Sequence, residues 1–240
     1  GLLKYDACRS MFKAHLWAYE FFDSERNQYD YDSFKLQSTA GIGDTIAKID
    51  FVLNEMEVFR IEKINITNRF NFDVLPNNKT IKFFDKKTFL MNGDIFIGNF
   101  AFSGQKITFS YDEFLFNFGP NSILSFLSKN QSKLSKSIIH FDSGVLFVDS
   151  VSNKSGFDEM NDFPRFQVDS TAYLSYLNEV VNFSLEPFEL NYLEDRVLKN
   201  IHFPGYLYLD GVVSALHSVL SFDSSGELST AIYDIDSVSL

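Results

Sequence analysis

From Ile46 to about Val151 apolar residues recur at every second position, and many of them are phenylalanine. A period of two places alternate side chains on opposite faces of a strand, so this stretch has to form a sheet. Ile49, Phe51 and Leu53 alternate with Asp50 and Asn54, and Phe70, Phe72 and Val74 with Asn71 and Asp73. Ile81 and Phe83 follow an Asn-rich turn. The clearest strand is Asp94 to Phe102, where Phe96, Gly98, Phe100 and Phe102 are expected on one face. Beyond it Ile107, Phe109 and Tyr111 occupy odd positions, and Phe114, Phe116 and Phe118 even ones. That change of parity across Asp112-Glu113 predicts a β-bulge or bend, as does a similar slip at Asn54-Glu55. Ser137 to Val151 reads as a further strand pair hinged at Asp142-Ser143-Gly144.

Two segments carry a helical spacing instead. In Leu2 to Phe22, Leu3, Ala7, Met11, Ala14, Ala18 and Phe22 recur at three- or four-residue steps, which predicts an amphipathic N-terminal helix. The polar run Asp23 to Asn27 stops it, and residues 28–45 connect it to the strands through Gly41-Ile42-Gly43-Asp44. From Asp169 to about Asn200, Leu174, Leu177, Val181, Leu185 and Phe188 predict a long second helix, with Asp169 or Ser170 as N-cap and a kink at Pro187. Strands return at Tyr206–Leu209, Val212–Phe222 and Glu227–Val238, the last two joined by an Asp223-Ser224-Ser225-Gly226 turn. The expected fold class is α+β: one domain over 1–240, with a highly curved antiparallel β-sheet wrapped around a long amphipathic helix and an N-terminal helix beside it.

Charge removes several partners. The net charge is −11, which opposes binding to nucleic acid or an anionic membrane surface. The densest basic cluster, Lys79, Lys82, Lys86 and Lys87, is broken by Asp85 and reads as a solvated turn. The longest uncharged run, Phe114 to Ser128, is interrupted by Gly119-Pro120 and is too short to span a bilayer, so no transmembrane segment is expected. A start at Gly1 without Met and sequons at Asn65, Asn78, Asn130, Asn153 and Asn182 suggest a secreted, extracellular glycoprotein, with Asn78 in an evident turn as the best acceptor. Cys8 is the single cysteine, so no intrachain disulfide is available; burial in a helix face is the expectation, and an interchain bond leaves a homodimer open.

No catalytic constellation is found. His15, His140, His202 and His217 are too dispersed for a metal motif, and no nucleophile elbow or phosphate loop occurs. The acid pairs Asp30/Asp32 and Asp234/Asp236 read as solvated edges. No enzyme activity, metal or cofactor is therefore expected. What remains is the phenylalanine: 28 residues, against 11 Tyr and 1 Trp. Phe-rich strands facing an apolar helix make walls for a cavity that binds by area, at about 0.8 kcal/mol per buried methylene. The expected lining is Phe51, Phe96, Phe100, Phe102, Phe109, Leu177, Val181 and Phe188.

The helix Leu2–Phe22, the segment Ile46–Ile66 (IAKIDFVLNEMEVFRIEKINI), the strands Gly93–Phe118 (GDIFIGNFAFSGQKITFSYDEFLFNF) and the later helix from Ser170 together resemble the TULIP superfamily, which includes group 7 mite allergens, takeout/juvenile-hormone-binding proteins and bactericidal/permeability-increasing proteins. The resemblance implies an arthropod-type, allergen-like carrier of a small hydrophobic ligand, a fatty acid, sterol-like molecule or terpenoid, enclosed between sheet and helix. It departs from the takeout type in having only Cys8, and from the group 7 type in the strands after residue 200. The alternative is a filled-core structural, storage or host-interaction protein acting through its surface.

Overall fold

The structure is a computed structural model. It describes residues 2–6, 11–15, 19–22, 33–38, 45, 47–67, 70, 72–84, 88–127, 134–154, 156, 158–160, 162–170, 172–176, 181–191, 193, 202–207, 216–222 and 228–234. Within these, side chains are described for 45, 47–67, 70, 72–84, 88–126, 138–154, 156, 158–160, 162–170, 172–175, 185–191 and 193.

Among the described residues, four strands precede residue 45: β1 (Leu2–Asp6), β2 (Met11–His15), β3 (Tyr19–Phe22) and β4 (Ser33–Ser38). Then come β5 (Ala47–Asp50), β6 (Glu55–Phe59), β7 (Ile61–Asn65), β8 (Phe72–Pro76), β9 (Thr80–Phe84), β10 (Thr88–Ile97) and β11 (Phe100–Ser110). β12 (Leu115–Phe118), β13 (Ser122–Leu127), β14 (Leu134–Phe141), β15 (Gly144–Phe147) and β16 (Arg165–Val168) follow. The remainder are β17 (Ala172–Tyr176), β18 (Val181–Leu185), β19 (Phe188–Leu190), β20 (His202–Leu207), β21 (Leu216–Phe222) and β22 (Leu228–Asp234). The helical structure among the described residues is a short 3-10 turn at Val151–Asn153, so the fold is antiparallel β and not α+β.

The strands form two ladders joined by one long hairpin. The first runs β1-β2-β5-β6-β9, passes through the first half of β10 and the second half of β11, and continues β12-β15-β16-β19. The second runs β3-β4-β7-β8, passes through the second half of β10 and the first half of β11, and continues β13-β14-β17-β18-β20-β21-β22. The chain visits them alternately, a hairpin at a time. The fork lies at a register shift between Met91 and Gly93, where β10 leaves β9 for β8.

Paired residues in antiparallel strands share a face, and the registers show why the core is continuous. In the first ladder Ile49, Met56, Phe83, Phe89, Phe109, Phe116, Leu146, Phe166 and Leu190 lie on one unbroken row. In the second, Ile64, Val74, Ile95, Phe102, Leu124, Ile139 and Leu174 do the same. From Phe89 to Leu190 the first row, and the whole of the second, belong to a single buried cluster against which Met56 and Phe83 pack, so the ladders pack face to face.

Neither expected helix forms in the segments that the structure describes. β1, β2 and β3 replace the N-terminal one, with Leu3 paired to Ala14 and Tyr5 to Phe12. β17, β18 and β19 occupy the second, with Leu174 paired to Phe183 and Ala172 to Leu185. The physical reason is an ambiguity of spacing. A step of four residues keeps one face of a helix and equally one face of a strand, and Leu3, Ala7 and Met11, or Leu177, Val181 and Leu185, are related by such steps. The discriminating residue is the one at two, and Phe183 between Val181 and Leu185 is apolar, as a strand requires. Tyr173, Tyr176, Val181 and Phe183 also favour strand intrinsically. A sheet wrapped around a long helix is thus not the architecture. Cys8, the Gly41–Asp44 connection and the Asp223–Gly226 turn lie outside the described residues.

The two expected bulges are instead hairpin turns, at residues 51–54 between β5 and β6 and at 111–114 between β11 and β12. Both end on a residue of positive φ, Asn54 at 54° and Phe114 at 56°. Asn tolerates that conformation; phenylalanine does so at a cost of about 1–2 kcal/mol. Phe114 is nonetheless fully buried, edge-on to Phe109 and Tyr111, and losing such a ring costs about 3–5 kcal/mol. Phe114→Gly is therefore expected to lower stability by about 2 kcal/mol in urea unfolding. A gain would show that backbone strain outweighs the packing.

Candidate functional site

Phe100, Phe102 and Phe109 are buried in the described core, and so is Phe188, in strand β19 and not on the expected helix. Phe96 is not on their side. Gly98 and Asn99 form a two-residue turn, so Ile95 pairs with Phe102 and Ile97 with Phe100, while Phe96 pairs with Ala101 on the opposite face. Phe51 stands in the 51–54 turn, 52% exposed. Leu177 lies outside the described residues; Val181 pairs with Tyr176 in β18, and its side chain is not among those described. Among the described side chains, then, Phe51 and Phe96 do not share the buried side of Phe100, Phe102, Phe109 and Phe188.

Rings from the two ladders meet each other. Phe102 of the second ladder lies 4.8 Å from Phe166 and 5.8 Å from Phe118 of the first, centroid to centroid. Phe72 stacks on Phe116 at 5.8 Å, and Phe141 meets Phe166 at 5.2 Å and Phe118 at 5.7 Å. These are the separations of directly packed aromatic pairs. Gly144 serves this packing: a Cβ there would sit 2.9 Å from the Phe141 ring and 3.0 Å from the Phe166 ring.

Among the described side chains, the densest polar chemistry lies in the loop between β15 and β16. Asp149, Asn153 and Lys154 are buried there, at 2%, 2% and 3% exposure. Asp149 accepts hydrogen bonds from the Ser150 N–H through Oδ1 and from Asn153 Nδ2 through Oδ2. Asn153 also donates to the Asp158 carbonyl and accepts from the Asp158 N–H. The Lys154 ammonium lies 4.5 Å from the Tyr111 ring centroid, a cation–π contact that joins the loop to the β11–β12 turn. Every one of these bonds is internal to the loop or its neighbour, and the arrangement works as a clamp on the chain reversal. The sequence marks Asn153 only as a sequon, and the polar run Asp149–Asp158 between two apolar strands does not by itself distinguish a clamp from a solvated loop.

The sequons fall in unlike settings. Asn153 has both amide protons engaged, so a glycan there is incompatible with this loop. Asn65 is part-buried in β7, and its Oδ1 has no hydrogen-bond partner. Asn78 is exposed in the β8–β9 turn, where its Oδ1 accepts the Thr80 N–H. Asn130 lies outside the described residues, and the Asn182 side chain is not among those described.

The outer faces carry charge and isolated aromatics. Lys82 pairs with Glu55 at 2.6 Å and lies over Phe84. That hydrogen bond to Glu55 raises the Lys82 pKa above its ordinary value, with Glu55, Glu57 and Asp50 charges adding to it. Arg165 covers the Phe147 ring and approaches Glu189 at 3.7 Å. His140 stacks on Tyr173 across β14 and β17, centroids 4.5 Å apart and rings nearly parallel. Among the described residues no three His, Cys, Asp or Glu side chains are grouped as a metal would need, and no helix is long and apolar enough to cross a membrane. No known protein family, curated protein or solved structure matches the chain.

Proposed function

We propose that the chain is a non-enzymatic structural or interaction protein that acts through its surface, with a filled interior. The observation that carries this reading is the direct contact of Phe102 with Phe166 and Phe118 across the two ladders. A lipid chain entering there would have to part those rings, losing about 0.5–1.5 kcal/mol of specific aromatic attraction per pair besides the packing around them. The carrier expected from phenylalanine content needs an interior that is open before the ligand arrives, and the ring contacts favour the filled alternative.

Titration with a polarity-sensitive apolar dye, together with native mass spectrometry, tests this. The expected result is the bare chain mass and no saturable dye uptake. A fatty acid recovered at one per chain, displaced stoichiometrically by the dye, would overturn the reading in favour of the carrier.

A further inference from the structure

The two ladders have four terminal strands, β1 and β3 at one end and β19 and β22 at the other. Among the described residues each pairs on one side only. A strand edge with free N–H and C=O groups recruits another strand unless charge or proline blocks it. The four differ in how they would meet a copy of themselves across a two-fold axis, the arrangement that keeps the pairing antiparallel. In β1 (LLKYD) the central Lys4 would face its own copy, and in β19 (FEL) Glu189 would face its own. Like charges directly opposite are destabilising. β3 (YEFF) is four residues long and carries Glu20 in its middle.

β22 has none of these protections. It is Leu228-Ser229-Thr230-Ala231-Ile232-Tyr233-Asp234, seven residues without lysine, arginine or proline. Paired with itself about Ala231, it sets Thr230 opposite Ile232, Ser229 opposite Tyr233, and the one charge, Asp234, opposite Leu228. No like-charge pair arises, and a seven-residue antiparallel pair spans about 24 Å of hydrogen-bonded edge. We infer that β22 is a self-association edge: two copies of this chain join β22 to β22 antiparallel, continuing the second ladder from one copy into the next. This deepens the surface-acting reading by naming the partner as a second copy.

The test uses the full chain and sedimentation from low-micromolar to sub-millimolar concentration. The wild-type protein is expected to dimerise with rising concentration. Thr230 and Ile232 pair with Ser221 and Val219 of β21, in alternation with the row through Leu207 and Leu216. Thr230→Lys with Ile232→Lys sets two like-charge pairs across the axis and should weaken dimerisation by about tenfold or more. Thr230→Glu with Ile232→Lys sets two opposite pairs at the same positions and should restore it, which a merely misfolded edge would not do. A wild-type monomer throughout the range, or a dimer indifferent to the sign of the introduced charges, would overturn the inference. Dye uptake reads the filled interior separately, so failure of either reading is distinguishable from failure of the other.

Discussion

Gly93→Ala should destabilise the protein by about 3 kcal/mol, near the upper end of what overpacking usually costs. Gly93 sits at the fork where β10 passes from β9 to β8, paired to Pro76 on one side and Gly104 on the other. A Cβ there would press on the Leu75 carbonyl oxygen, closer than real Cβ contacts come, and lie 3.0 Å from Pro76 Cα. These are backbone atoms, so no rotamer change relieves the clash. The strand has to move, and the bonds from Asn77 N–H to the Asn92 carbonyl and from Lys106 N–H to Asn92 Oδ1 are next to it. Urea unfolding of the variant should show a lower midpoint. An unchanged midpoint would mean that the close approach of β8 to β10 at Gly93 is not needed for the fork.

Phe102→Ala should cost more, about 4 kcal/mol, because it removes the ring that bridges the ladders. Phe102 is 0% exposed and touches rings on both β12 and β16. The comparison that separates packing from ligand binding is thermal unfolding of the folded variant and of the wild type, each with and without benzene. A dry apolar cavity of ring size accepts small aromatic molecules, so benzene should raise the thermal midpoint of Phe102→Ala while leaving the wild type unmoved. If the wild type also gained stability with benzene, its interior would already be open and the carrier reading would recover.

Much of the sheet was legible because its signals are local. The parity of Phe100, Phe102 and Phe109 placed them on the buried face, and Asn77-Asn78 marked a turn that the structure forms between β8 and β9. The parity changes at Asn54-Glu55 and Asp112-Glu113 were correctly located, but a strand reversal and a bulge disturb the alternation alike, so the hairpins were not distinguishable from bends. Phe96 was misplaced for a related reason: a two-residue turn at Gly98-Asn99 starts a new strand, and counting through it carries the wrong parity across. The clamp at Asp149, Asn153 and Lys154 was illegible because its meaning depends on burial, which a polar run does not announce.

Antiparallel strands with a phenylalanine-rich inner face, in the described parts of 46–147, can be read from the residues alone. Periodicity and turn chemistry act over two to four residues and need no partner to be read. Tertiary pairing alone makes strands in the described parts of Leu2–Phe22 and 169–200, assigns each strand to its ladder and brings rings of the two ladders into contact. A four-residue spacing suits helix and strand equally, and the choice falls to whichever backbone can complete its hydrogen bonds. Here the neighbouring strands supply them, as in the pairing of β2 with β5 and of β14 with β17. Whether an aromatic face lines a cavity or a core depends on what stands opposite it, and opposite Phe102 stand Phe118 and Phe166.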